Sequence, residues 1–466
     1  MSRDATIEEV ERHFDTGAFH EVLARRVAIP TESQNPDRRP VLYDYLRGEI
    51  GPALTALGYG WEVVENPLAG RPPFLIAERR EGDDVPTVLT YGHGDVVRGQ
   101  EEQWTKGAGP WKLAVDGERL YGRGTADNKG QHTINLAALA AVLKTRGRLG
   151  FNSRFLVDMG EEVGSPGLNE VCEQYRDRLA ADVLIASDGP RLQPGRPTLY
   201  MGTRGAFNFD LSLTLREGGH HSGNWGGLLA NPGIVLAHAL ASLTSPTGAI
   251  RVPEWRPAPM SNSVRQALSG LAVDGGADGP AIDADWGEPG LSPAERVFGW
   301  NSFEILAMRT GNPDKPVNAI PPRATAHCQI RYVVGSDPEQ FLPALARWFE
   351  AHGFRGIEIA RTREAVAPAT RLDPDHPWVA WAAASVERTT GAAPALLPNL
   401  GGTLPNHAFA LTLATPTIWV PHSYASCSQH APDEHMLAPI AREGLRMMAG
   451  LFWDVGAPGT PARAAA

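Results

Sequence analysis

The chain has 466 residues, of which 42% are hydrophobic and 21% charged, so it holds apolar material for more than one core and is too long for a single compact one. Its formal net charge is −10 and no Lys/Arg run interrupts that balance, which argues against nucleic acid and anionic membrane surfaces as partners. The three cysteines, Cys172, Cys328 and Cys427, show no CxxC spacing, which speaks against a disulfide framework or a thiolate zinc site and for a reducing, cytoplasmic setting.

The opening MSRDATIEEVERHF is charged and has no apolar stretch of the signal-peptide kind. No run of about 18 apolar residues long enough to span a membrane follows it. Thr6 and Glu9 fit a capping box, ahead of helix-like spacing of Val10, Phe14, Phe19, Val22 and Leu23. Strands are predicted over 73–78, 86–91, 153–158, 182–187 and 416–420, with helical patterns at 128–143 and 168–179. Strand–helix alternation of this kind builds an α/β sheet with helices on both faces. The middle of the chain reads differently. Residues 205–215 (GAFNFDLSLTL) and 324–334 (ATAHCQIRYVV) alternate as strands with one wet face. Residues 337–352 read as an amphipathic helix, with Asp337 as N-cap and Pro338 in its first turn. The Gly-, Pro- and Asp-rich stretch 273–290 is a predicted loop, and the alanine- and proline-rich tail 457–466 is predicted to be disordered. The expected division is therefore a large domain from 1–199 and 369–456, with a smaller α+β domain inserted at 200–368.

The polar residues with chemistry cluster in short segments just beyond predicted strands: YGHGDVV at 91–97, GRGTADNKG at 122–130, DMGEEVGS at 158–165 and ASDGP at 186–190, with SQHAPDEH at 428–435. In an open α/β sheet, ligands bind beyond the carboxyl ends of the strands, so residues distant in sequence can meet on one rim. Two imidazoles and three carboxylates form a donor set suited to zinc, with cobalt or manganese also compatible. A lone Asp after a strand is ordinarily a cap or turn former, and Glu161–Glu162 alone would be a solvated pair. Their joint occurrence beside glycines outweighs those readings.

These segments resemble the motifs of the dizinc metallopeptidase family that includes acetylornithine deacetylase, succinyl-diaminopimelate desuccinylase, aminoacylase, glutamate carboxypeptidase and carnosinase, over about residues 20–450. GHGDVV resembles its H-x-D segment, GRGTADNKG its G-x-x-D-x-K-G segment and GEEVGS its E-E segment. HHSGNWGG resembles the H-S-G segment of the carnosinase-like branch, and NAIPPRATAHCQIR the N-x-I-P…R segment. The resemblance implies one metal on His93, Asp127 and Asp188 and a second on Asp127, Glu162 and His430. Asp127 would bridge them, and a cis peptide would follow it at Asp127–Asn128. His430 is preferred to His422 and His435 because it heads the string HAPDE, where Asp433 stands in place of the family's Asn. Asp95 would orient His93 as an outer carboxylate.

The same resemblance implies a mixed, mostly parallel sheet flanked by helices in the metal-binding domain, and an antiparallel lid or dimerisation domain. It implies a zinc-dependent hydrolase cutting an amide bond next to a free carboxylate, as a dipeptidase, carboxypeptidase or N-acyl-amino-acid amidohydrolase. Glu161 would be the general base toward a water shared by the metals. His221 would donate to the oxyanion and, as in dimeric relatives, reach the neighbouring subunit of a homodimer. Asn318, Arg331, Gly402 and Thr403 would hold the carboxylate, Arg331 through its two-pronged guanidinium. Two alternatives compete: a relative diverted to another small-molecule C–N bond, as a deacetylase or deaminase, and a catalytically dead binding protein. Trp225 and Trp300 are candidates both for a substrate-pocket wall and for the core.

Overall fold

The computed structural model describes residues 2–273, 280–362 and 367–461. Its main element is an eight-stranded sheet with strands in the spatial order Gly60–Val64, Phe74–Arg79, Asn152–Asp158, Thr87–His93, Val183–Ala186, Thr417–Trp419, Thr198–Tyr200, Ala395–Leu397. The central pairings from Asn152–Asp158 to Thr417–Trp419 are parallel, and antiparallel strands enter towards the edges. All five strands predicted in this domain are present, with ends shifted by one or two residues.

Strand pleat explains why both faces are covered. Successive side chains point to opposite faces. Phe155, Val157, Val183, Ile185 and Ile418 join one core with the helices Lys129–Arg146 and Ala438–Val455. Their neighbours Leu156, Leu184, Ala186 and Trp419 join a second core with Leu168, Val171, Leu268 and Phe298. Near-continuous apolar runs are therefore required, and the sequence supplies them.

A separate four-stranded antiparallel sheet has the order Ser302–Thr310, Arg323–Tyr332, Gly205–Thr214, Glu358–Arg361. Phe207, Phe209, Leu211, Ala326, Cys328 and Ile330 face a third core, closed by the helices Pro232–Leu243 and Phe341–Ala351. The alternate residues Asn208, Asp210, His327 and Gln329 bond to one another on the other face. One wet face is what the alternation in 205–215 and 324–334 predicts.

The opening of the chain departs from expectation. Ser2, not Thr6, caps the first helix by accepting from the Ala5 amide, and Thr6 is buried inside it. The apolar spacing spans two helices, Arg3–Asp15 and Ala18–Val27, split at Gly17, whose φ of 84° suits glycine. The helix predicted over 337–352 opens with a 3-10 turn, Pro338–Gln340, capped by Asp337. Residues 280–290 carry no helix or strand, whereas 274–279 of the predicted loop and 462–466 of the predicted tail lie outside the described residues. No described helix is long and apolar enough to cross a membrane.

Candidate metal centre

Three parallel strands deliver acidic and imidazole groups to one rim of the large sheet. His93 ends its strand opposite Asp158, Glu161 and Glu162 lie on the turn that follows Asp158, and Asp188 lies two residues beyond Ala186. Asp127 comes from the turn before the helix Lys129–Arg146, and the Asp127–Asn128 peptide is cis. That turn packs so closely on its helix that a Cβ at Gly130 would lie 1.9 Å from the Thr125 carbonyl oxygen, so only glycine fits. His430 sits on a loop in left-handed backbone (φ 61°), as do Ser428 and Asp433. Each such non-glycine residue costs about 1–3 kcal/mol, which the surrounding contacts must offset.

Two groups of side chains have ligand atoms within 4.8 Å of one another: His93, Asp127 and Asp188, and Asp127, Glu162 and His430. Asp127 belongs to both. Its Oδ1 lies 2.9 Å from His93 Nε2 and its Oδ2 lies 2.9 Å from His430 Nε2. His430 Nε2 is 3.0 Å from Glu162 Oε2, and His93 Nε2 is 3.6 Å from Asp188 Oδ2.

The donors fit divalent cations by a test internal to the structure. Asp188 Oδ1 accepts from the Gly189 amide, but Asp188 Oδ2 is buried with no hydrogen-bond partner. A buried oxygen in that state is costly unless something else satisfies it. Charge balance agrees. Burial, then the charge of Asp127, raises the Asp188 carboxyl to about 6 and that of Glu162 to about 7. Burial likewise pushes Glu161 well above the usual carboxylate range, opposed by His93. Hydrogen bonds that His430 donates to the carboxylates of Asp127 and Glu162 lift it to about 11. The cluster is short of positive charge, and cations would supply it.

The surrounding groups hold the ligands in place. Asp95 is fully buried, with Oδ1 3.3 Å from His93 Nδ1. Its two oxygens also accept the backbone amides of Glu161 and Glu162, each at 3.1 Å, so one carboxylate positions the imidazole and the acidic turn together. Glu161 Oε2 is 4.0 Å from His93 Nε2.

Sequence reasoning gave no role to Glu434, which is central here. Its Oε1 accepts the amides of Gly124, Ala126 and Asp127, and its Oε2 pairs with buried Arg123 at 2.8 Å. Glu434 thereby shapes the turn that presents Asp127. Gln429, also missed, donates to Asp127 Oδ2. Asp433, noted only as a departure from the motif, accepts from the amides of Thr105 and Lys106 and from Thr105 Oγ1. The available signal was the acidic pair immediately after HAP.

The remaining candidates form two other groups. Arg331 donates to Thr403 Oγ1 (2.8 Å), and Thr403 Oγ1 donates to the Arg204 carbonyl, with Gly402 adjacent and exposed. His221 and Asn318 lie on a small antiparallel pairing, His220–His221 with Ala319–Ile320, where the Ser222 amide donates to the Asn318 carbonyl. Both are exposed, and His221 Nδ1 accepts from the Gly223 amide. Among the described residues, neither makes a hydrogen bond or ion pair to the metal cluster. Trp225 is 46% exposed, which removes it from the core.

The family model described as "Peptidase family M20/M25/M40" matches residues 89–454. Beta-Ala-His dipeptidase of Rattus norvegicus is 31% identical over 264 residues, 53% of either chain. Cysteinylglycine-S-conjugate dipeptidase of Corynebacterium striatum is 25% identical over 358 residues, 74% of this chain and 75% of the relative. The chain spans about half the length of the Beta-Ala-His dipeptidases that it matches. The di-peptidase Dug1p from Saccharomyces cerevisiae superposes with a TM-score of 0.78 at 21% identity, covering 98% of this chain and all of that one. Human carnosine dipeptidase 1 gives 0.76 at 23% identity, covering 97% and 99%. These two likenesses establish the fold.

Proposed function

The chain belongs to peptidase family M20/M25/M40, and on that premise we propose that it is a two-metal hydrolase of amide bonds next to a free carboxylate, acting on dipeptides. The single observation that carries this reading is Asp127, whose two oxygens face one histidine each, in two ligand groups that share it. Dipeptides are the favoured class because the relatives named above are dipeptidases.

His93, Asp127 and Asp188 would hold one cation and Asp127, Glu162 and His430 the other, with zinc the best match to the donors. Bound there, two cations would supply Lewis acidity and lower the pKa of water toward neutrality. The protein's own groups do the rest. Glu161 takes the proton of the attacking water on its carboxylate and returns it to the leaving nitrogen. Asp95 keeps His93 and the Glu161–Glu162 turn in register. Arg331, steadied by Thr403, receives the substrate carboxylate with Asn318 and the Gly402 loop, and His221 donates to the developing oxyanion.

We also propose a cytoplasmic homodimer in which 200–368 acts as lid and dimerisation domain, set into a catalytic domain of 1–199 and 369–456. Strand Ser302–Thr310 is an edge strand and exposes Ile305, Leu306 and Met308. Leu228, Ile234 and Val317, also on the inserted segment, are more than half exposed. An apolar edge of this kind ordinarily pairs with another chain. A second subunit would also bring His221 and Asn318 to a metal cluster that they do not reach within one chain.

Protein loaded in turn with zinc, cobalt or manganese should hydrolyse members of a panel of dipeptides and N-acyl amino acids, lose that activity to a chelator and regain it on reloading. A fully loaded preparation inert on the whole panel would overturn the proposal.

A further inference from the structure

A cavity of about 920 Å3 is bounded by the inserted segment on one side and by Ala425, Ser426 and Ser428, on the loop that leads to His430, on the other. Its position relative to the proposed chemistry is set by three residues. Ser428 lines it and lies two residues from His430. Ser302 lines it and pairs across the sheet with Arg331. Arg204 lines it, is buried, and donates to Ser302 Oγ and to the Arg331 carbonyl. The cavity therefore begins where a substrate anchored on Arg331 and reaching toward His430 would branch.

Its apolar wall is formed chiefly by Trp286, Trp300, Phe303 and Ile250, with Arg119, Asp283, Glu288 and Glu304 lining the remainder. Arg296, which also lines it, is held by donating to the carbonyls of Ala284, Trp286 and Glu288. Trp286 is 55% exposed yet fixed, since its ring packs against Gly248, where a Cβ would lie 2.6 Å away. The Gly287 amide anchors the same turn by donating to the Thr247 carbonyl. A tryptophan held rigid but half bare, in a concave apolar site, is surface kept available for a ligand.

We propose that this cavity receives the side chain of the substrate residue carrying the free carboxylate, and that Trp286 and Trp300 select large apolar, aromatic side chains there. The proposal rests on the amide-hydrolase reading for its substrate but not for its existence as a binding site.

The test uses two dipeptide series with metal-loaded protein, Ala-Xaa and Xaa-Ala, with Xaa as Gly, Ala, Leu or Phe. Burial of a phenyl side chain predicts kcat/KM rising by roughly 10–100-fold from Ala-Gly to Ala-Phe. The Phe-to-Gly ratio should collapse in Trp286→Ala, whose exposed position leaves folding intact, as thermal melting will verify. Binding is measured in parallel by calorimetry with N-acetyl-Phe and N-acetyl-Gly. A binding preference for N-acetyl-Phe that Trp286→Ala abolishes supports the pocket even if no peptide is cleaved, in which case only the hydrolase reading has failed. Cleavage with a flat Ala-Xaa series, or with selectivity confined to Xaa-Ala, overturns the pocket and leaves the hydrolase standing. Equal binding of the two N-acetyl acids also overturns it.

Discussion

At the metal rim, each proposed ligand is braced by a further group: Asp95 behind His93 and under Glu162, Glu434 behind the turn of Asp127, Gly189 behind Asp188. At the tip of the inserted segment, His221 is exposed, has one bond to a neighbouring amide, and stands near Val317, which is 76% exposed. The rim is built from strand ends locked into a two-faced core, the tip from a two-residue pairing that forms its own small sheet apart from the four-stranded one. Both proposed ligand groups are assembled within one chain, whereas His221 stands exposed and makes no hydrogen bond to them among the described residues. Rigid support is what positions charged ligands to within a fraction of an ångström.

Substitutions at the rim and at the tip should differ in kind and in size. Glu161→Gln should lower turnover by roughly 10²–10⁴-fold while metal content, read by elemental analysis, stays near normal. Near-normal turnover would remove Glu161 as the base. Glu434→Gln should weaken metal binding by roughly 10–100-fold, although Glu434 touches no proposed metal position. His221→Ala should leave metal affinity unchanged, and equal losses in the two variants would erase the contrast between rim and tip. Arg331→Ala should raise KM for carboxylate substrates on the order of 10–100-fold through loss of a charged hydrogen-bond pair, and an unchanged KM would end its anchoring role. The smallest effect sharpens the picture of the tip: mixing His221→Ala with Glu161→Gln should restore part of the activity that both homodimers lack. Verified mixed dimers without any recovery would place His221 outside the neighbour's site.

The sheet was legible because parallel central strands must be apolar on both faces, and runs such as 153–158 and 182–187 can be little else. The inserted sheet was legible for the converse reason, its strict alternation. The first helix starts earlier than the Thr6–Glu9 capping pattern implies because Ser2 caps it alone, without an acidic partner three residues on, and it ends before Gly17, which breaks a periodicity that continues past it. The five proposed ligands stood out through residue type and glycine-rich neighbours. Glu434 did not, because its partners are backbone amides about 310 residues away, and an amide has no sequence signature. Trp300 stayed ambiguous between core and pocket until the fold set it on a cavity wall.

Anomalous scattering from crystals of zinc-loaded, active protein would locate the cations themselves. Two peaks should appear, one among His93, Asp127 and Asp188 and one among Asp127, Glu162 and His430, with Asp127 touching both. Zinc bound elsewhere, or active protein with neither position filled, would rule out a two-metal centre bridged by Asp127.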